Sequence, residues 1–262
     1  MSLKGKSLMV LTPMIDGAAA INYITSLIGL IFTATKAGIP ISYHFVYKES
    51  LVTRARNRLV DNYMKTSTAT HCVFIDADIG FEPLHVMAML ENEFDIAGAP
   101  CTKKSIRWDR IQQAIKMNPE KEFSADELEK IGGDFVLNFE PYSGTKRMEL
   151  VEPQDMRNLG TGLLMIKRGV FETLRGGILA DEWYESRSDP AALPGPTYDF
   201  FPSVVNKESR EYESEDYGFC MLAKRAGFKI WLCPWVQTSH MGVNTFKSDL
   251  SVLAANGVSI TG

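Results

Sequence analysis

The sequence predicts an α/β unit built on a mostly parallel sheet flanked by helices, and three observations carry that prediction. Short β-branched or aromatic runs alternate with longer helical patterns through the first hundred residues. The intervals between runs fit right-handed crossovers between parallel strands. Hydrophobic residues make up 45% of 262 positions, enough to bury the core such a sheet needs, in one large domain or two small ones.

In chain order, "SLMVL" (7–11) reads as the first strand. The apolar segment 18–38 follows as a crossover helix; Asn22, Tyr23, Thr25 and Ser26 interrupt it, so it reads as buried in protein and not as a membrane span. "ISYHFVY" (41–47) is the second strand, after a break marked by Gly38 and Pro40. Residues 50–66 carry Leu51, Ala55, Leu59 and Tyr63 at a spacing of four, an amphipathic helix. "HCVFID" is the third strand, Pro83 opens a helix at its first turn, and "FDIAGAP" is the fourth strand. Residues 105–132 look helical and polar, whereas "FVLNF" (135–139) and "GTGLLMIKR" (160–168) look like strands. Residues 181–212 show no period, yet Tyr184, Tyr198, Phe200 and Phe201 argue against plain disorder. A change of pattern near residue 100 separates two halves of one unit, about 1–100 and 101–245, with 246–262 as a C-terminal tail.

The charge balance excludes some functions. A formal charge of −4, from 28 basic and 32 acidic residues, leaves no electrostatic footprint for nucleic acid. Cys72, Cys101, Cys220 and Cys233 are scattered without a C-x-x-C pair, which fits a reducing compartment better than a disulfide or zinc framework. The N-terminal apolar run is too short for a signal peptide, so a cytoplasmic protein without an anchor is expected.

Chemistry concentrates in four places. Asp76 and Asp78 end the third strand on one face, Cα atoms roughly 6–7 Å apart, at the carboxyl edge where parallel sheets bind ligands. Two carboxylates so placed call for a cation, and Mn²⁺ or Mg²⁺ bridging to phosphates is one answer; a polar strand end is the other. "ESEDYGFCMLAKRAGF" (213–228) predicts a helix from about 215 to 226 with Ser214 as N-cap and Gly227 beyond its end. At 100° per residue, Glu215 falls near the middle of its apolar stripe and Asp216 at the edge. Either can serve as a general base, because burial raises a carboxylate's pKa toward working pH; the bland alternative is two acids complementing the helix dipole. His240 sits at a strand end between small residues, whereas His44 and His71 read as packing residues and His85 as unremarkable. In "TRARNRLV", Arg54 and Arg58 share a helix face and Arg56 lies opposite, so the three arginines cannot all reach one phosphate.

Taken together these motifs resemble, over about residues 5–245, the GT-A-type glycosyltransferases. Asp76-Ala77-Asp78 is similar to the family D-x-D, "RARN" (Arg54 to Asn57) to the arginine-asparagine element opening the second helix, and "GTGLLMIKRGVFE" (160–172) to the segment lining the acceptor site. Ser214-Glu215-Asp216 resembles the [ST]-E-D whose Asp is the base in inverting members, and His240 the late histidine that ligates metal. The likeness is greatest to the small single-domain enzymes of phages and large viruses, which would place the protein in a host cytoplasm.

The resemblance implies a GT-A sheet with a smaller mixed sheet on the acceptor side. It also implies a non-processive, hexosyl-type transferase, the "Q-x-x-R-W" of processive synthases being absent. A nucleotide-diphosphate sugar would be the donor and a glycan or other hydroxyl the acceptor. Thr12, Pro13, Arg54, Arg56, Asn57, Asp76 and Asp78 would bind the donor, with Asp76, Asp78 and His240 on Mn²⁺ or Mg²⁺, or Asp76 on the ribose instead. Gly160, Thr161 and Gly162 would line the acceptor side, with Asp216 as base and Glu215 orienting it or binding the acceptor. Loop 181–212 would be a lid or acceptor site.

Other readings fit less well. A nucleotidyltransferase would carry a basic, glycine-rich loop after its first strand, where "TPMIDGAAA" has no basic residue. A haloacid-dehalogenase-type phosphatase would place D-x-D on the first strand. A non-catalytic nucleotide-sugar or glycan-binding module would not need the S-E-D and late histidine kept together.

Overall fold

The structure, a computed structural model, describes residues 3–135, 137–139, 151–186, 191–207, 209–244, 252 and 255–256. Most of the expected tail 246–262 lies outside the described residues.

The first half alternates as β1 (Leu8–Met14), α1 (Ile21–Lys36), β2 (Ile41–Tyr47), α2 (Val52–Thr66), β3 (His71–Ile75), β4 (Ile79–Phe81), α3 (Pro83–Glu91) and β5 (Ile96–Gly98). The second half is more broken: β6 (Thr102–Ile106), α4 (Trp108–Met117), α5 (Ala125–Ile131), β7 (Gly133–Phe135), β8 (Asn138–Phe139), β9 (Gln154–Asn158), β10 (Leu163–Lys167) and α6 (Arg168–Gly176). Four two-residue strands follow, β11 (Trp183–Tyr184), β12 (Thr197–Tyr198), β13 (Val204–Val205) and β14 (Tyr212–Glu213), then α7 (Glu215–Arg225), β15 (Trp231–Leu232) and β16 (Thr238–His240).

The chain is a mixed α/β structure with one large central sheet in the order β2-β1-β3-β10-β5-β15-β9-β8. Six of these eight strands run one way; β10 and β9 run against them. Smaller two-stranded sheets stand apart: β11–β12, β13–β14, β4–β16 and β6–β7.

Alternation along each strand divides the core between the sheet's two faces. Met9 and Leu11, Cys72 and Phe74, and Leu164 and Ile166 pack toward α2, α6 and α7. Leu8 and Val10, Val73 and Ile75, and Leu163 and Met165 pack toward α1 and α3. Strands buried on both faces read as continuous apolar runs, which is why "HCVFI" shows no polar alternation.

Two expectations need correction. Segment 18–38 is not a fully buried helix: Tyr23, Leu27, Leu30 and Ala34 face the core, but Ile28 and Phe32 are 63% and 69% exposed. Among the described residues no helix is long and apolar enough to cross a membrane. The region read as helical from 105 begins as strand β6, held against β7 at Thr102–Phe135 and Ile106–Gly133. In 181–212 the aromatics do argue rightly against plain disorder: Phe200 and Phe201 are both buried in an aromatic cluster with Phe171 and Phe219.

Helix α7 is fixed tightly against that segment. A Cβ on Gly218 would lie 1.8 Å from the Pro202 carbonyl oxygen, so the helix backbone must approach bare. Gly218→Ala should therefore destabilise by about 1–3 kcal/mol through forced backbone movement. Its urea-unfolding midpoint measures this; an unchanged midpoint would mean that helix and segment separate freely.

Candidate active site

The carboxyl ends of β1, β2 and β3 converge on a cleft of about 610 Å³. Four carboxylates, Asp16, Glu49, Asp76 and Asp78, and one guanidinium, Arg56, line it together with Pro13 and His240. A cleft with that balance repels an anion unless a further cation joins it.

Two local devices bring His240 to Asp78. Strand β4, directly after the D-x-D, pairs antiparallel with β16 in a register that sets His240 opposite Ile79. The Met241 N–H then donates to the Asp78 carbonyl at 2.9 Å, and the Asn22 amide donates to the same carbonyl at 3.2 Å. His240 Nε2 thus lies 3.3 Å from Asp78 Oδ1. Its Nδ1 lies 2.6 Å from the Thr102 carbonyl, which can only accept, so Nδ1 carries the proton. In the neutral imidazole, Nε2 then presents a lone pair to a carboxylate oxygen. Two acceptors face each other across a gap that a cation would fill. A backbone carbonyl fixing the remote nitrogen is the usual support for a ligating histidine.

Asp76, the other expected ligand, turns elsewhere. Its Oδ1 accepts from Arg56 Nη2 at 3.1 Å, and Arg56 Nε donates to Glu215 Oε1 at 3.2 Å. Accordingly, among the described residues no group of three His, Cys, Asp or Glu side chains could enclose a metal ion. The pair that does form still suits Mg²⁺ or Mn²⁺, which commonly take one or two protein carboxylates and complete their shell with substrate phosphates and water.

Arg56 joins the strand end to the N-terminus of α7. Its side chain is only 5% exposed. Burial works against its charge, and Asp76 and Glu215 more than restore it, so its pKa is raised. Its Nη1 is buried without a hydrogen-bond partner. Arg54 and Arg58 lie on the opposite side of α2, as the spacing requires. Arg54 forks onto Glu49 at 2.6 and 2.7 Å, and Arg58 lies 3.9 Å from the same carboxylate.

Asp216 stands beside Glu215 with different partners. Its Oδ1 accepts from the Ser214 hydroxyl and, at 2.9 Å, from the Tyr217 N–H. Its Oδ2 faces Gly160, where a Cβ would come within 3.4 Å. Burial pushes the Asp216 carboxyl above its ordinary value and the Glu215 charge adds to this, while the Ser214, Tyr217 and Arg56 contacts hold it back. Ser214 precedes α7 as the spacing predicts, but its side chain makes no cap bond to the helix; its hydroxyl donates to Asp216 instead. Gly227, beyond the helix end, has a φ of +90°, as a helix-terminating glycine should.

The remaining expected residues divide. Thr161 is buried, while Gly160 and Gly162 are half-buried, and the Gly162 carbonyl accepts from the Asp76 N–H at 3.1 Å; the glycine segment therefore lies beside the D-x-D. Pro13 lines the cleft, but Thr12 is buried with its hydroxyl 2.7 Å from the Tyr23 hydroxyl. The Asn57 amide is likewise spent inside the protein, donating to Asp199 at 2.7 Å and accepting from the Phe201 N–H at 3.0 Å. Three residues were not singled out from sequence. Asp16 and Glu49 follow β1 and β2, where the carboxyl-edge rule points to them. Lys104, whose Nζ lies 2.5 Å from Asp78 Oδ2, carries no such signal.

No protein-family model and no curated protein matches this chain. Solved structures resemble it distantly. A197 from STIV aligns with a TM-score of 0.48 at 14% identity, over 91% of this chain and 86% of that one. A glycosyltransferase involved in glycosylation of the major capsid of PBCV-1 aligns at 0.30 and 7% identity, covering 63% and 62%. A putative glucose-1-phosphate thymidylyltransferase from Bacillus anthracis, solved with sucrose, aligns at 0.27 and 9%, covering 65% and 74%. Likeness at this level transfers no residue role, and the chemistry must rest on the side chains described above.

Proposed function

We propose that this protein is a GT-A-type glycosyltransferase, moving one sugar from a nucleotide-diphosphate donor to an acceptor hydroxyl with the help of a divalent metal. The observation that carries the reading is the Asp78–His240 pair, two converging acceptors at the mouth of an acid-lined cleft at the sheet's carboxyl edge. Asp78 and His240 would hold Mn²⁺ or Mg²⁺, which would neutralise the charge developing on the leaving diphosphate.

The protein's own groups have separable tasks. Ala18–Ala20 line the cleft and lead into α1, whose N-terminus carries no side-chain cap and favours an anion nearby. Arg56 locks Asp76 and Glu215 in place, fixing the distance between the donor end of β3 and the catalytic end of α7. Asp216 Oδ2, over the glycine segment, accepts the proton of the attacking hydroxyl. Of the two acids Asp216 is the better placed base, because Glu215 already accepts from the Arg56 guanidinium while Asp216 Oδ2 faces the glycine segment.

The test is a thermal-shift panel of UDP, GDP, CDP and dTDP, each with and without Mn²⁺, on wild type and Asp78→Asn. A ligand at about 100 times its dissociation constant adds ~2.7 kcal/mol, which raises Tm by roughly 5–10 °C in a chain of this size. The expected result is a Mn²⁺-dependent shift with one nucleotide, absent in Asp78→Asn. No shift with any of the four would overturn the donor site.

A further inference from the structure

We infer that Lys104 is a built-in counter-ion for Asp78, displaced when metal binds and then available to the donor's diphosphate. The inference rests on the donor-site reading above and extends it to a residue outside every motif.

Asp78 divides its two oxygens between two partners. Oδ1 faces His240 Nε2 at 3.3 Å, and Oδ2 takes the Lys104 ammonium at 2.5 Å. Lys104 lies on β6, two residues beyond Thr102, whose carbonyl fixes the His240 tautomer. One strand therefore supplies both the support for the histidine and the cation on the carboxylate. A second, larger groove of about 1220 Å³ is lined by Lys104 and meets the first cleft at His240. The ammonium thus stands at the junction of the two spaces, where a diphosphate leaving the first would emerge.

The pair is built to open. The side chains of Lys104 and Asp78 are 44% and 34% exposed, so water replaces either partner at small cost. The lysine stem is guided by close packing: a Cβ on Gly242 would lie 2.6 Å from Lys104 Cδ. A divalent cation on Asp78 repels the ammonium and frees it. The surrounding carboxylates, Asp16, Glu49 and Asp76, would then be faced by an anionic ligand, and a mobile lysine adds positive charge to that of Arg56, which is already engaged by Asp76.

This arrangement predicts effects of opposite sign. Lys104→Gln should bind Mn²⁺ alone more tightly, by roughly two- to fivefold, because the metal no longer competes with the ammonium. The same variant, saturated with Mn²⁺, should bind the nucleoside diphosphate on the order of tenfold more weakly. Gly242→Ala, which displaces the stem and keeps the charge, should shift Mn²⁺ affinity in the same direction as Lys104→Gln.

The measurement is a Mn²⁺ titration followed by electron paramagnetic resonance on wild type, Lys104→Gln, Gly242→Ala and Asp78→Asn, repeated with UDP, GDP, CDP and dTDP. Tighter metal with weaker nucleotide in Lys104→Gln supports the inference. Metal affinity unchanged or weakened in Lys104→Gln, but abolished in Asp78→Asn, overturns the lysine's role and leaves the donor site standing. No Mn²⁺ binding by wild type and Lys104→Gln alike overturns the metal reading, and the lysine exchange with it.

Discussion

Replacing Arg56 by methionine is expected to lower Tm by roughly 6–20 °C and to abolish turnover. The guanidinium is buried and holds Asp76 and Glu215 at once. Removing it strands the largely buried Glu215 and unpairs Asp76, whose side chain is 32% exposed on the cleft; breaking a buried pair costs about 3–5 kcal/mol, or 2–4 °C for each kcal/mol in a chain of this length. Arg56→Lys should recover little, because an ammonium cannot present the two separately directed N–H groups that reach Asp76 and Glu215. A calorimetric scan of both variants checks this. Melting close to wild type would mean the carboxylates are solvated and the bridge between β3 and α7 is not structural.

Asp216→Asn is expected to leave the fold intact and lower kcat by 10²–10⁴-fold, on the order of 3–5 kcal/mol of barrier. The amide oxygen can keep the Ser214 and Tyr217 contacts while the group over Gly160 loses its basicity. The acid limb of the kcat/KM profile should lie above the ordinary aspartate range, because burial raises the Asp216 pKa, and should vanish in the variant. Stability should move the other way. A carboxyl whose pKa is raised on folding contributes stability below its unfolded pKa of 3.8 and loses it as pH rises through the folded value. At neutral pH the charged group is a burden, so the amide variant should melt at or above wild type. Near-complete retention of transfer would remove Asp216 from the role of base.

Much of this was legible in the chain, and what was not has identifiable causes. β1, β3, β10 and α7 stand within a few residues of where periodicity put them, because strands buried on both faces and a helix ended by Gly227 leave strong local signals; the half-exposed edge strand β2 was legible from its β-branched and aromatic run. β4 and β6 were missed: β4 has only three residues and its partner β16 lies far along the chain, whereas β6 gives no apolar alternation to read. "TKKSI" is moreover largely exposed and lacks an apolar face. The resemblance to GT-A enzymes implied that Asp78 and His240 meet, and the structure sets them 3.3 Å apart; the opposed faces of Arg54 and Arg56 follow from helical geometry. That Asn57 would anchor Asp199 and Phe201 could not be read, since nothing local to position 57 announces partners more than 140 residues away. Lys104 meets Asp78 from only 26 residues away, on an exposed strand whose pattern does not mark it.

The antiparallel strand β10 has a further consequence, for how the chain is made. It lies between β3 and β5, pairing Leu163 with Ile75 and Leu164 with Gly98, yet it is synthesised about 65 residues after β5. At about 5–20 residues per second a ribosome needs several seconds to cover that interval. Throughout it the emerging first half offers unpaired, apolar strand edges: "HCVFI", covered by β1 on its other side, and "IAG", whose neighbours β10 and β15 both come later. Folding of the nascent chain therefore waits on a late insertion, and that interval is when sticking to neighbouring chains competes with reaching the native state.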